Sequence, residues 1–243
     1  MADSRIVFAL DAPSLNEASR LVLALRDAVG MFKVGVELFV AAGPRAAEVV
    51  TETGRPLFLD LKLHDIPETV DRAVARAAAL GARMLTVHAS GGPAMLRRAV
   101  ERAHKEKTGL EIVGVTVLTS LDASDLAALG ARPDVAAHVE RLAQLAWDEG
   151  VRAFVCSPHE LVRLRGALGP GATLITPGVR APGMTGQSPA DDQKRSMSAG
   201  QAIALGADWI VVGRPIRDAV NPREAAQAIA HEAREALTAR GGG

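Results

Sequence analysis

One repeated alternation narrows the folds open to this chain more than any other feature. Short apolar and β-branched runs give way, eight times, to longer stretches with helical spacing. The runs predict strands over 5–11, 31–36, 56–62, 83–89, 111–118, 153–157, 173–178 and 209–214. Between them, "NEASRLVLALRDAV", "PETVDRAVARAAAL" and "AHVERLAQLAWDE" carry apolar residues three and four apart, the mark of amphipathic helices. Gly30, Gly54, Gly81 and Gly150 stand shortly before strands, where a helix is expected to end. Eight such units in 243 residues predict an α/β fold, a closed (β/α)8 TIM barrel, as one domain over 1–243. A doubly wound open sheet is the alternative, but no Gly-x-Gly-x-x-Gly follows the first run. The irregular "GVRAPGMTGQSPADDQ" (178–193) is long for a connector and predicts a mobile functional loop around 178–195.

The third run breaks the apolar rule. "LFLDLKLHDIP" places Asp60, Lys62, His64 and Asp65 where a core strand is expected. Residues two apart share a strand face. Leu57, Leu59, Leu61 and Leu63 therefore face the helices, while Phe58, Asp60 and Lys62 face the barrel interior near its C-terminal mouth. By the same parity Lys33 and Asp11 point inward from the two preceding strands. Buried charges need partners, because lost hydration costs several kcal/mol. Four alternating charges on three adjacent strands are such partners. They also make a fixed field at the end of the barrel where this fold keeps its chemistry. A purely structural ion-pair cluster is the competing reading. Asp65 has the opposite parity; "DIPE" also reads as a helix start, with Asp65 as N-cap, Pro67 in the first turn and Glu68 three residues on. His64 reads as a packed loop histidine and His88, at a strand end, as a weak ligand candidate.

Other strand ends suggest an anion. Gly213 permits close backbone approach, and Arg214 offers a fork of donors for phosphate. Arg180 follows the seventh run, and the loops after strands seven and eight commonly hold phosphate in such barrels. Thr119 stands at the mouth after the fifth run, and Gln193 could reach a ligand from the long loop. There is no Walker loop, Gly-x-Ser-x-Gly elbow or His-Glu-x-x-His, and the histidines show no metal-ligand spacing.

Composition limits the partners. Lys plus Arg equals Asp plus Glu at 28 each, which argues against a nucleic-acid footprint. Aromatics are 3% of residues and tyrosine is absent, leaving few stacking platforms. No apolar run is long enough for a membrane span, and the N-terminal segment lacks the apolar core of a signal peptide. Cys156, the single cysteine, fits a reducing cytoplasm and reads as a buried inert thiol. The final "RGGG" is expected to fray.

"FLDLKLHDIPETV" strongly resembles the Asp-x-Lys-x-x-Asp signature of orotidine 5'-phosphate decarboxylases. "FALD", "FKVGVELF", "TVLTS", "TPGVR…DQKR" and "VVGRPI" match that family in the same order, over roughly residues 5 to 235. The resemblance implies that Lys62 donates a proton and that Asp60 sits by the departing carboxylate. It implies that Lys33 links the network to the ribose and that Asp11 holds ribose hydroxyls. Thr69 would line the ribose side and Thr119 would contact the pyrimidine. Arg180, Gln193, Gly213 and Arg214 would hold the phosphate. Asp65 would cross a homodimer interface into the partner's site, which competes with its N-cap reading. No cofactor and no metal are implied. The rival within the architecture is a magnesium-dependent decarboxylase or aldolase acting on a sugar phosphate, with Glu37 and Asp60 as ligands. A barrel that only binds nucleotides is the non-enzymatic rival.

Overall fold

The computed structural model describes residues 4–180 and 197–241. Ten strands are present among them: β1 (Ile6–Ala9), β2 (Met31–Gly35), β3 (Leu57–Leu63), β4 (Ala82–His88), β5 (Glu111–Val115), β6 (Ala153–Val155), β7 (Thr173–Thr176), β8 (Val179–Arg180), β9 (Met197–Ser198) and β10 (Trp209–Val212). Eight of them close a parallel barrel in the order β1-β10-β7-β6-β5-β4-β3-β2, and β8 pairs separately with β9. The fold is the (β/α)8 barrel that the alternation predicts.

Strand parity sorts the side chains into two apolar layers. Val7, Met31, Phe58, Met84, Val113, Ala153 and Ile175 pack together inside the barrel. Ile6, Phe8, Phe32, Val34, Leu57 and Leu59 belong to the larger core between the barrel and its helices. The interior layer fills the barrel below the mouth, so polar side chains further along the strands stand above apolar packing.

Most helices begin and end for visible reasons. Ser14 caps Leu15–Leu25 through its side chain, and Asp134 does the same for Val135–Asp148. Gly54, Gly81 and Gly150 adopt positive φ at the expected helix ends. Gly30 does not. It is needed for space, since a Cβ there would lie 2.1 Å from the Ser4 carbonyl oxygen.

Apart from β3, which runs to Leu63, the strands stop earlier than the apolar runs suggest. β2 ends at Gly35, and Val36 already opens the helix Val36–Ala42. Asp11, Thr119, Gly213 and Arg214 consequently lie beyond the ladders, on the segments that turn outward at the mouth. The helix Arg45–Thr51 is an extra element between β2 and β3. Gln193 and most of the long loop fall outside the described residues, and of Arg180 only the backbone belongs to them. Among the described residues no helix is long and apolar enough to cross a membrane.

Candidate active site

The register of β1, β2 and β3 carries the inward-facing charges to one level. Ala9 pairs with Lys33, and Gly35 pairs with Asp60. Asp60 lies at the centre: its Oδ2 is 3.2 Å from Lys33 Nζ and its Oδ1 is 2.8 Å from Lys62 Nζ. Asp11 Oδ1 lies 3.8 Å from Lys33 Nζ on the far side. The order in space is Asp11, Lys33, Asp60, Lys62, with the sign of charge alternating.

Depth divides these groups by use. The side chains of Lys33 and Asp60 are 13% and 12% exposed, while those of Lys62 and Asp11 are 35% and 46% exposed. The inner pair forms the floor of the mouth, and Lys62 and Asp11 present a cation and an anion to whatever enters. Burial alone would push the Asp60 carboxyl up. The charges of Lys33 and Lys62, and their hydrogen bonds, outweigh that and hold it below its ordinary 3.8. Asp60 is thus an anion at neutral pH.

Lys62 reaches this place through an unusual backbone. Its φ is +49°, in the left-handed region that costs a side-chain-bearing residue about 1–2 kcal/mol. The strand is bulged there: Leu59 pairs with Leu85 but Leu63 pairs with Val87, so three residues of β3 face one of β4. That one residue is Thr86, fully buried. Its hydroxyl accepts the Lys62 main-chain N–H at 2.8 Å and donates to Asp60 Oδ1 at 3.1 Å. Sequence reasoning missed Thr86. The available signal is its parity, since Met84, Thr86 and His88 share the inward face of β4.

Two glycines keep the network open. A Cβ on Gly35 would lie 3.3 Å from Lys33 Nζ, and one on Gly213 would crowd Ala9 Cβ at 3.3 Å and touch Asp11 Oδ2 at 3.6 Å. Gly213 therefore brings the start of the short helix Arg214–Arg217 against the charged cluster, with Arg214 exposed at its first position. Arg217, also missed from the sequence, donates to the Asp11 carbonyl at 3.1 Å. Thr119 is half-buried in the turn after β5, and Thr69 is exposed in the first turn of Pro67–Ala79.

The N-cap expectation for Asp65 is corrected. Pro67 occupies the first helical position, so Ile66 is the N-cap residue, and no side chain caps this helix. Asp65 Oδ1 instead accepts the adjacent Ile66 N–H at 2.6 Å, and the residue is exposed. His64 is corrected as well: it is exposed rather than packed, with its ring 5.3 Å from that of His88. Burial, His64 and Lys62 lower the His88 pKa against an opposing pull from Asp60. Glu37 is exposed in the first turn of Val36–Ala42, and no three His, Cys, Asp or Glu side chains among the described residues converge as metal ligands. Cys156 is buried, with its thiol pushed up to about 12 by burial.

The parallel barrel carries an alternating Asp-Lys-Asp-Lys row at its C-terminal mouth, the end where enzymes of this fold keep their chemistry, beside a glycine–arginine helix start. The family model for "Orotidine 5'-phosphate decarboxylase / HUMPS family" matches residues 4–229, and the chain belongs to that family. A protein of Anaeromyxobacter sp. (strain K) named orotidine 5'-phosphate decarboxylase is 50% identical over 226 residues, 93% of this chain and 96% of the relative. One of the same name from Thermobifida fusca is 48% identical, over 93% of this chain and 94% of the relative. The crystal structure of orotidine 5'-phosphate decarboxylase from Lactobacillus acidophilus superposes with a TM-score of 0.81 at 33% identity, covering 94% of this chain and 98% of that one.

Proposed function

We propose that this chain converts orotidine 5'-monophosphate to uridine 5'-monophosphate and CO2, the last step of de novo UMP synthesis, without a cofactor. Asp60 held between two ammonium groups, 2.8 and 3.2 Å away, carries the reading. The substrate carboxylate enters beside Asp60. The bond from C6 to the carboxyl carbon breaks, CO2 leaves, and the electron pair stays on C6. The Lys62 ammonium stabilises that pair and then delivers its proton to C6; solvent restores the proton to Lys62. Most decarboxylases delocalise such a pair into a coenzyme ring. Here the fixed charges have to supply the stabilisation, on the order of 20 kcal/mol.

Asp11 and Lys33 take the ribose hydroxyls, Thr69 flanks them, and Thr119 meets the pyrimidine. Gly213 and Arg214 hold the phosphate. Arg180 and Gln193 join them on the strength of the motif alone. The phosphate lies away from C6, so its binding energy serves to exclude water and align the charged row. Asp65, exposed on its own chain, serves the site of a second subunit in a cytoplasmic homodimer. The alternating charges support an enzyme over a passive nucleotide binder, because burying them idle costs several kcal/mol.

The test is turnover of orotidine 5'-monophosphate by the purified protein, followed by loss of its ultraviolet absorbance, with and without EDTA. Turnover that persists in EDTA is expected. No turnover would reject the activity, and turnover abolished by EDTA would favour the metal-dependent relatives.

A further inference from the structure

We propose that Thr86 is a positioning residue that sets the direction of the Lys62 ammonium. This rests on the decarboxylase reading above and deepens it. Among the described residues, the hydroxyl of Thr86 touches both the backbone of Lys62, at 2.8 Å, and the carboxylate that the same lysine grips, at 3.1 Å. A hydroxyl can accept and donate at once, and here each direction is forced. The Lys62 main-chain N–H can only donate. The ionised Asp60 carboxylate can only accept.

Thr86 thus closes a small ring: Lys62 backbone, Thr86 hydroxyl, Asp60 Oδ1 and Lys62 Nζ, the last at 2.8 Å. The ring spans a bulge in which the Lys62 N–H has left the regular ladder, between the pairs Leu59–Leu85 and Leu63–Val87. A left-handed residue whose main-chain N–H had no partner would relax toward ordinary strand geometry. Such relaxation would remove the bulge that sets where the lysine stem leaves the strand, and with it the 2.8 Å seat of the ammonium on Asp60. Thr86 answers that N–H with a side chain that is itself fully buried and cannot drift. Its second bond occupies Asp60 Oδ1 from the side of β4, which leaves the Lys62 ammonium a fixed seat on the same oxygen. A displacement of the proton donor by about an ångström is enough to cost on the order of a hundredfold in rate.

A merely structural threonine would stabilise the fold and leave the chemistry of folded molecules alone. The two roles separate in steady-state kinetics with orotidine 5'-monophosphate. Thr86→Val keeps the shape and removes both hydrogen bonds. Its kcat is expected to fall at least tenfold, with KM within about twofold of wild type, because the phosphate anchor is untouched. Thr86→Ser restores the hydroxyl without the methyl and is expected to recover kcat to within about threefold. Thr86→Cys, a small side chain with a weaker donor, gives the same comparison if the valine variant does not fold; its kcat should fall between those of the serine variant and Lys62→Ala. The inference is overturned if folded Thr86→Val, or failing that Thr86→Cys, turns over at the wild-type kcat. It is equally overturned if Thr86→Ser is as slow as Thr86→Val, or if KM rises in place of a fall in kcat. Absence of turnover in the wild type would instead reject the activity itself, and an unimpaired Lys62→Ala would reject the proton donor. Each of these failures is distinguishable from failure of the Thr86 role.

Discussion

Asp60→Asn removes one charge and almost no volume, and the structure says what that should cost. The carboxylate stands 2.8 Å from one ammonium and 3.2 Å from another. At an effective dielectric constant of about 20, each contact is a gross attraction of roughly 5–6 kcal/mol. The cost of dehydrating the ions offsets much of this. Removing one partner of a buried ion pair destabilises by about 3–5 kcal/mol, mainly by stranding the other charge. Lys62 is about a third exposed, so water screens part of its loss and the lower end, about 3 kcal/mol, is expected. That is roughly a hundredfold drop in the ratio of folded to unfolded protein, and a fall of about 6–12 °C in Tm for a chain of this size. Urea denaturation followed by far-ultraviolet circular dichroism measures it. The pH dependence has a definite sign. Asp60 titrates below its ordinary value when folded. Its contribution is therefore complete above the unfolded value of about 3.9 and disappears as pH falls through the lower folded value. Wild type and Asp60→Asn should differ at pH 7 and converge in strong acid. Equal urea midpoints at pH 7 would refute the reasoning.

Arg214→Ala should raise KM for orotidine 5'-monophosphate and lower kcat, since the phosphate grip also aligns the charged row; unchanged values of both would remove Arg214 from the site. Mixing Asp65→Ala with Lys62→Ala, after subunit exchange has been verified, should regenerate activity through one intact hybrid site per dimer. No recovery would count against a shared site. The Cys156 thiol, buried and raised to about 12, should resist a disulfide reagent at pH 8 until the protein is unfolded in urea; stoichiometric reaction with the folded protein would contradict that burial.

The barrel was legible because its causes are local and periodic. Alternation of two-residue and 3.6-residue patterns along the chain names the strands and helices, and parity marks Lys33 and Asp60 as inward-facing; Asp11 lies past the end of β1 and Lys62 in the bulge of β3, so the barrel's geometry completes the row. The limits are equally physical. Thr86 looks like any β-branched strand residue, and its two hydrogen bonds exist only because β3 bulges against β4. The bulge has no glycine to announce it: Lys62 itself takes the left-handed backbone. The cap alternative for Asp65 fails because Pro67 at the first helical position leaves Ile66 as the N-cap residue. Arg217 reaches Asp11 through its carbonyl, a contact that depends on the last strand closing beside the first.

Lys62→Ala offers the most direct trial of the idea that a seated ammonium replaces a coenzyme. The variant should fold, retain binding of uridine 5'-monophosphate, and release no detectable CO2 from orotidine 5'-monophosphate. Decarboxylation by that variant at a rate near wild type would contradict it.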